Sequence, residues 1–238
     1  MNFIAHYFLD RFHPESAFAV GAATPDLLSI YNPSLRIKAH HLGRIDPEDL
    51  KTSELALIDG IQRHFDADAV FHSSDFFKNE TAHISQEIKT RLPHLTVPRK
   101  YFIAHILLEL ILDKVLIKDF PGLLDEYYQH YRNTAPFEDI TRSTELVAQK
   151  RLPNYEQFLM KFQQNRYLFQ YREWSHIAFV LKKILIRVGI RERDFLEEKA
   201  FFDLMADYQN HLHGQYPGLF KLLKKEIGIR KNGRKRGF

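Results

Sequence analysis

Cysteine is absent from all 238 residues. That excludes disulfide scaffolds, cysteine-ligated zinc, iron–sulfur clusters and cysteine nucleophiles together. Long apolar runs are missing as well. A membrane span needs about 18 uninterrupted apolar residues, and the best stretch, Tyr101–Ile117, is broken by His105, Glu109, Asp113 and Lys114. The first residues lack the basic region, apolar stretch and small-residue cleavage site of a signal peptide, so a cytoplasmic location is expected. Strand signals are scarce. β-branched residues are sparse, and Asn232-Gly233 lies in a basic segment rather than between alternating runs.

What is present is a core-forming, helix-patterned chain. Hydrophobic residues make up 45% and charged residues 27%, with a mean hydropathy of −0.36, which suits a soluble globular body. Leu55, Ile58, Ile61, Phe65 and Val70 recur at helical steps, as do Phe102, Ile103, Ile106, Leu107, Leu110 and Ile111. Asp46-Pro47-Glu48-Asp49 reads as a helix start, and Val97-Pro98 as the opening of the helix carrying His105. Lys118–Gly122 closes that helix and starts another through Tyr131. Further helices are expected over Tyr155–Gln170, Glu173–Val188, Glu197–His213 and Pro217–Ile227, with Asn133–Pro153 as a long connection. The expectation is an all-α, multi-helix, bundle-like single domain over 1–229, followed by a basic flexible tail, 230–238.

Charge is unevenly placed. Lys221–Phe238 holds eight Lys/Arg against Glu226, a net +7, which leaves −3 for residues 1–220 of a chain whose total is +4. Such a segment is either a solvated end or an arm for an acidic protein, nucleic acid or membrane surface.

Histidine numbers 13, and nine lie at or before His105. Four elements draw attention. His6 follows an apolar N-terminal segment. Gly21–Asp26 (GAATPD) ends a helix and places an aspartate after a proline. His64-x3-Asp68-x3-His72 and His105-x3-Glu109, with Asp113 beyond, each put polar side chains on one helix face at four-residue spacing. Phe65, Phe71, Ile106 and Leu110 surround these ridges, and burying unpaired imidazoles and carboxylates is costly. A divalent metal supplies a reason, and this donor set suits zinc, manganese or iron. His40 or His41 could complete the site. A single such pair is also what a helix-face hydrogen bond looks like; the convergence of several is what points to metal. His13, His83, His94, His130, His176, His211 and His213 show no convergence and read as surface or ordinary core.

Met1–Leu9 (MNFIAHYFL), Gly60–His64 with Asp68, and Tyr167–Trp174 (YLFQYREW) resemble the acyl carrier protein phosphodiesterase family, an all-helical relative of the HD phosphohydrolases. The resemblance runs through most of the chain, to about Tyr208–Leu219. It implies metal-dependent release of 4′-phosphopantetheine from holo-acyl carrier protein, with His6, Asp26, His64 and Asp68 matching the family motifs. The chain departs from the family at Ala104-His105, where an Asp-His pair is usual, and at His72, where an acid is usual. Gly21–Asp26 is instead similar to an element of zinc-dependent phospholipase C-like proteins. There, and in single-strand-specific zinc nucleases, the order Asp26, His40 or His41, His64/Asp68/His72, His105/Glu109 builds a metal cluster.

The resulting expectation is a metal-dependent phosphodiesterase with an HD-like or phospholipase C-like helical core. His6, Asp26, His41, His64, Asp68, His72, His105 and Glu109 are the metal ligands. Asp68, His64 and Glu109 carry catalysis, with Asp68 or Asp26 bridging and Glu109 a ligand or the group that fixes the His105 tautomer. Arg63 and Arg172 hold phosphate. The metal is manganese or zinc, with iron also suited. The partner is acyl carrier protein or another acidic phosphodiester, with nucleic acid a further option through the tail. The alternatives are a phospholipase C- or nuclease-like phosphodiesterase, and a non-catalytic helical binding protein, for which Ala104 is the motif.

Overall fold

The computed structural model describes residues 1–95, 100–191 and 193–234, the side chains of 230–234 excepted. Eleven α-helices are described: α1 (Phe3–Leu9), α2 (Ser16–Tyr31), α3 (Ala39–Leu42), α4 (Thr52–Ser73), α5 (Asp75–Arg91), α6 (Lys100–Asp119), α7 (Leu123–Asn133), α8 (Glu138–Ala148), α9 (Tyr155–Asn165), α10 (Trp174–Arg187) and α11 (Lys199–Arg234). Short 3-10 turns cover Pro47–Asp49, Tyr167–Arg172 and Asp194–Glu197. The described residues are all-helical, with no strand among them.

Contacts divide the chain into two compact units, each discontinuous in sequence. One comprises Met1–Ala69 and Gly122–Leu168, the other Val70–Pro121 and Phe169–Phe238. In the first unit, α1 packs on α2 and α7, α2 on α7, and α9 on α7 and α8. Its centre is aromatic: Tyr127, Tyr128, Tyr131 and Tyr155 are fully buried. Three of these hydroxyls are satisfied within the unit, with Tyr127 and Tyr131 paired at 2.8 Å and Tyr128 accepting from the Leu168 amide at 3.0 Å. Glu54 is buried near the start of α4 and accepts from Arg142 Nε at 2.8 Å, Ser143 Oγ at 3.2 Å and the Lys51 amide at 2.9 Å.

The tightest feature of that unit is the crossing of α2 and α4. A Cβ on Gly60 would overlap the Phe18 carbonyl oxygen and lie 2.8 Å from the Ala22 nitrogen and 3.0 Å from Gly21 Cα. A Cβ on Gly21 would likewise overlap the Leu57 carbonyl. Only hydrogens fit between the two backbones there.

In the second unit α6 is the central helix. It is apolar nearly all round, burying Ile103, Leu107, Leu110, Ile111, Leu112, Val115 and Leu116, as a helix covered on several sides must. It packs against α5, α10 and α11. Helix α5 supplies a narrow stripe, Phe77, Thr81, Ile84 and Ile88, and starts at Ser74, whose hydroxyl accepts from the Phe77 amide at 3.1 Å.

Several boundaries differ from the sequence reading. Asp46 does cap the residues after it, but they form a 3-10 turn, and α4 restarts at Thr52. The GAATPD segment does not end a helix: Pro25 lies inside α2, as Pro217 lies inside α11. Each proline removes one backbone donor, a local loss that packing on both sides of it outweighs. The supposed connection Asn133–Pro153 contains α8, whose buried stripe includes Ser143 and Thr144 and so escapes an apolar count; Thr144 Oγ1 donates to the Ile140 carbonyl at 2.6 Å. The Val97-Pro98 helix start lies outside the described residues. Helix α11 continues through 230–234, within the segment read as a tail, and 235–238 lie outside the described residues.

Gly60→Ala should lower stability by about 2–3 kcal/mol, because the added methyl meets backbone on both sides. Gly214, where nothing lies within 4 Å of a built Cβ, should instead gain about 0.5–1 kcal/mol on change to alanine within α11. Denaturant midpoints of the two variants check this, and a Gly60→Ala protein as stable as wild type would refute the close crossing.

Candidate metal centre

The α2–α4 crossing sets His64. Its Nδ1 lies 2.9 Å from the Ala22 carbonyl oxygen. A carbonyl only accepts, so Nδ1 carries the hydrogen and Nε2 of the neutral ring keeps its lone pair. That Nε2 faces Asp68 Oδ2 at 3.5 Å, one helical turn on. From α1, the His6 ring stacks on His64 with centroids 4.0 Å apart and planes 19° apart. His6 Nε2 lies 3.2 Å from Asp68 Oδ1, and the Met1 ammonium donates to the same oxygen at 2.8 Å. Asp26, from α2 just after Pro25, brings a carboxylate oxygen to the group. Ligand atoms of His6, Asp26 and His64 all lie within 4.8 Å of one another.

Burial, and next to it the His6 ring, pushes the His64 pKa down to about 3. Asp68 stays well below the usual carboxylate range: burial acts to raise it, but the Met1 ammonium, His6 and His64 outweigh that. The first unit therefore holds a neutral imidazole and an ionised carboxylate side by side, the protonation states a transition metal requires of its ligands.

The second unit holds another set. Glu109 Oε1 lies 3.1 Å from His72 Nε2 and 3.0 Å from His105 Nε2. The two rings sit 4.9 Å apart, and the buried Phe77 ring packs edge-on to both, at 4.8 and 4.9 Å. His72, His105 and Glu109 also present ligand atoms within 4.8 Å of one another. Asp113, one turn beyond Glu109, is fully buried.

The remaining sequence candidates sit elsewhere. His41 is on α3, with Nδ1 3.1 Å from the Val147 carbonyl of α8. Arg63 Nε pairs with Asp10 at 3.0 Å. The Arg172 guanidinium lies 5.0 Å from the centre of the Phe169 ring, while its carbonyl accepts from Lys114. One set was not foreseen. His83 and His211, read as surface or ordinary core, converge on Glu80. Glu80 and His83 share an i,i+3 spacing on α5, but His211 is over 120 residues away, so no local pattern signals the three together.

No family model, curated protein or solved structure matches this chain.

A histidine whose folded pKa lies below its unfolded value near 6.5 binds its proton more weakly when folded. Its contribution to stability is complete above about pH 6.5 and is lost as pH falls toward 3. Asp68 acts in the same direction at lower pH. Chelator-treated protein should thus show a falling denaturation midpoint from pH 6.5 to 4.5, with a shallower fall in His64→Gln. Identical slopes for the two proteins would show that His64 titrates normally.

Proposed function

We propose that this chain is a metal-dependent hydrolase of phosphodiesters. The reading rests on one observation. His64 turns a lone pair, not a hydrogen, toward the Asp68 carboxylate, and His6 and Asp26 bring ligand atoms within 4.8 Å of those of His64. Acceptors facing one another call for a cation among them. The 3.2 and 3.5 Å separations match adjacent ligands in a shell whose bonds are about 2.0–2.3 Å. Two nitrogens and two carboxylates suit zinc or manganese. His72, His105 and Glu109 form a second donor set of the same kind in the other unit.

A bound divalent ion supplies Lewis acidity toward a phosphoryl oxygen and acidity to water. The protein's part is positional. His64 is held by Ala22, and His6 is fixed by stacking on it. Asp68 orients both imidazoles and is the group best placed to accept a proton from an attacking water. Glu109 fixes both ring orientations in its own triad, as a carboxylate partner of ligating histidines does. Arg63, held by Asp10 beside His64 in sequence, is the candidate phosphate contact in this unit.

The substrate class follows from the resemblance to acyl carrier protein phosphodiesterases and from the basic end of the chain. A holo-carrier protein is acidic and carries a phosphodiester-linked prosthetic group. Phospholipids and single-stranded nucleic acid offer the same bond. A non-catalytic binding role is favoured by one residue: Ala104 is fully buried beside His105, where the family's aspartate would stand.

Protein purified without a histidine tag should contain at least one manganese or zinc per chain by elemental analysis. It should also hydrolyse bis(p-nitrophenyl) phosphate. His64→Ala and Asp68→Ala should each lower that turnover by roughly 100-fold or more, on the scale seen when a metal's supporting residues are lost, with the helical circular dichroism retained. Undiminished turnover in both variants, or a chain that takes up no metal on titration, would overturn the proposal. Removing residues 230–238 should leave the small diester unaffected while weakening action on holo-carrier protein, most visibly at low salt.

A further inference from the structure

A third group of ligand atoms converges within the second unit, where α11 packs on α5. Glu80 and His83 lie on one face of α5, and His211 comes from α11. Glu80 Oε2 is 3.0 Å from His211 Nε2. The Tyr208 hydroxyl, one turn before His211, donates to the same carboxylate oxygen. The His83 and His211 rings stand 5.2 Å apart and nearly perpendicular, at 89°. Ligand atoms of Glu80, His83 and His211 all lie within 4.8 Å of one another. The Glu80 side chain is only 13% exposed, whereas that of His211 is 36% exposed.

We propose that Glu80, His83 and His211 form a divalent transition-metal site that fastens α11 to α5. The donors are two imidazoles and a carboxylate, a set that holds zinc in three positions and leaves the rest to water. The 3.0 Å between Glu80 and His211 is already the spacing of neighbouring ligands on bonds of about 2.0–2.2 Å. The metal takes the place of the hydrogen now shared between them. His83 is exposed, so a change of rotamer is enough to bring its ring nitrogen in. Tyr208 anchors the carboxylate as an outer partner anchors a ligand. The site shares no residue with either triad of the proposed hydrolase, and it stands or falls independently of that reading.

Zinc titration of the full chain by calorimetry tests it. A His64→Ala/His105→Ala chain, which disables both other ligand sets, should still bind one zinc. Its melting temperature should rise by a few degrees in excess zinc, since a ligand that binds only the folded state shifts unfolding by mass action. Adding His83→Ala or Glu80→Gln should weaken this binding at least tenfold. His83 is a surface residue, so that variant keeps its fold. If the double variant does not fold, the same result is read in the wild-type background as the loss of one zinc equivalent on His83→Ala. Zinc affinity unchanged by both His83→Ala and Glu80→Gln would overturn the proposal and leave Tyr208, Glu80 and His211 as a hydrogen-bonded clamp.

Discussion

The candidate chemistry of the first unit hangs on the approach of two backbones. Gly21 and Gly60 have no side-chain carbon, so α2 and α4 cross with each glycine set against the other helix's main chain. At ordinary helix–helix spacings of 8–10 Å, an imidazole four residues beyond the contact would point into side chains. Here it reaches the Ala22 carbonyl itself. That one hydrogen bond chooses the His64 tautomer, and the tautomer decides whether Asp68 meets a donor or a lone pair. A packing constraint at glycine thus becomes an electronic property of a histidine one turn away.

The same crossing explains how Asp26 can serve. A proline inside a helix forfeits a hydrogen bond, and Pro25 would be a natural stop in an isolated peptide. Helix α2 instead continues to Tyr31, held by α4 on one side and by α1 and α7 through side-chain packing. Continuation keeps Asp26 in register with the Gly21–Ala22 contact. Had the helix ended within Gly21–Asp26, as the sequence pattern suggests, the carboxylate would sit at a helix end or on a loop and its approach to His6 and His64 would not be fixed by the crossing.

What could be read in advance was what repeats locally. Spacings of four marked His64, Asp68 and His72 on α4 and His105 and Glu109 on α6, and the periodic apolar residues marked those helices. His41 had no such support, and the structure sets it against Val147 instead. Helices α5 and α8 were illegible because their buried stripes use threonine, whose hydroxyls at Thr81 and Thr144 return to the helix's own carbonyls at Phe77 and Ile140, and, in α8, a serine that donates to Glu54. An apolar count scores those positions as surface. The Glu80–His83–His211 group was illegible for another reason: it is a tertiary meeting of two helices far apart in sequence, and no period reports it.

Buried and half-buried polar groups such as Glu54, His64 and His130 fall into two kinds, and the difference lies in the sign of what faces them. His130 has Tyr7 Oη at 3.3 Å from one nitrogen and Ser16 Oγ at 3.1 Å from the other, hydroxyls that can donate or accept as either tautomer needs. Glu54 is buried among donors alone. Such groups are complete with protein atoms, and burying them costs little. His64 is different, because the carbonyl on Nδ1 takes its only hydrogen and Asp68 offers Nε2 another acceptor. The Met1 ammonium lies on the far oxygen of that carboxylate, so it offsets the carboxylate's charge without supplying the His64 nitrogen with a donor. A hydrogen-bond inventory of the folded chain, not the count of histidines, therefore separates the imidazoles that hold the structure together from those suited to hold an ion.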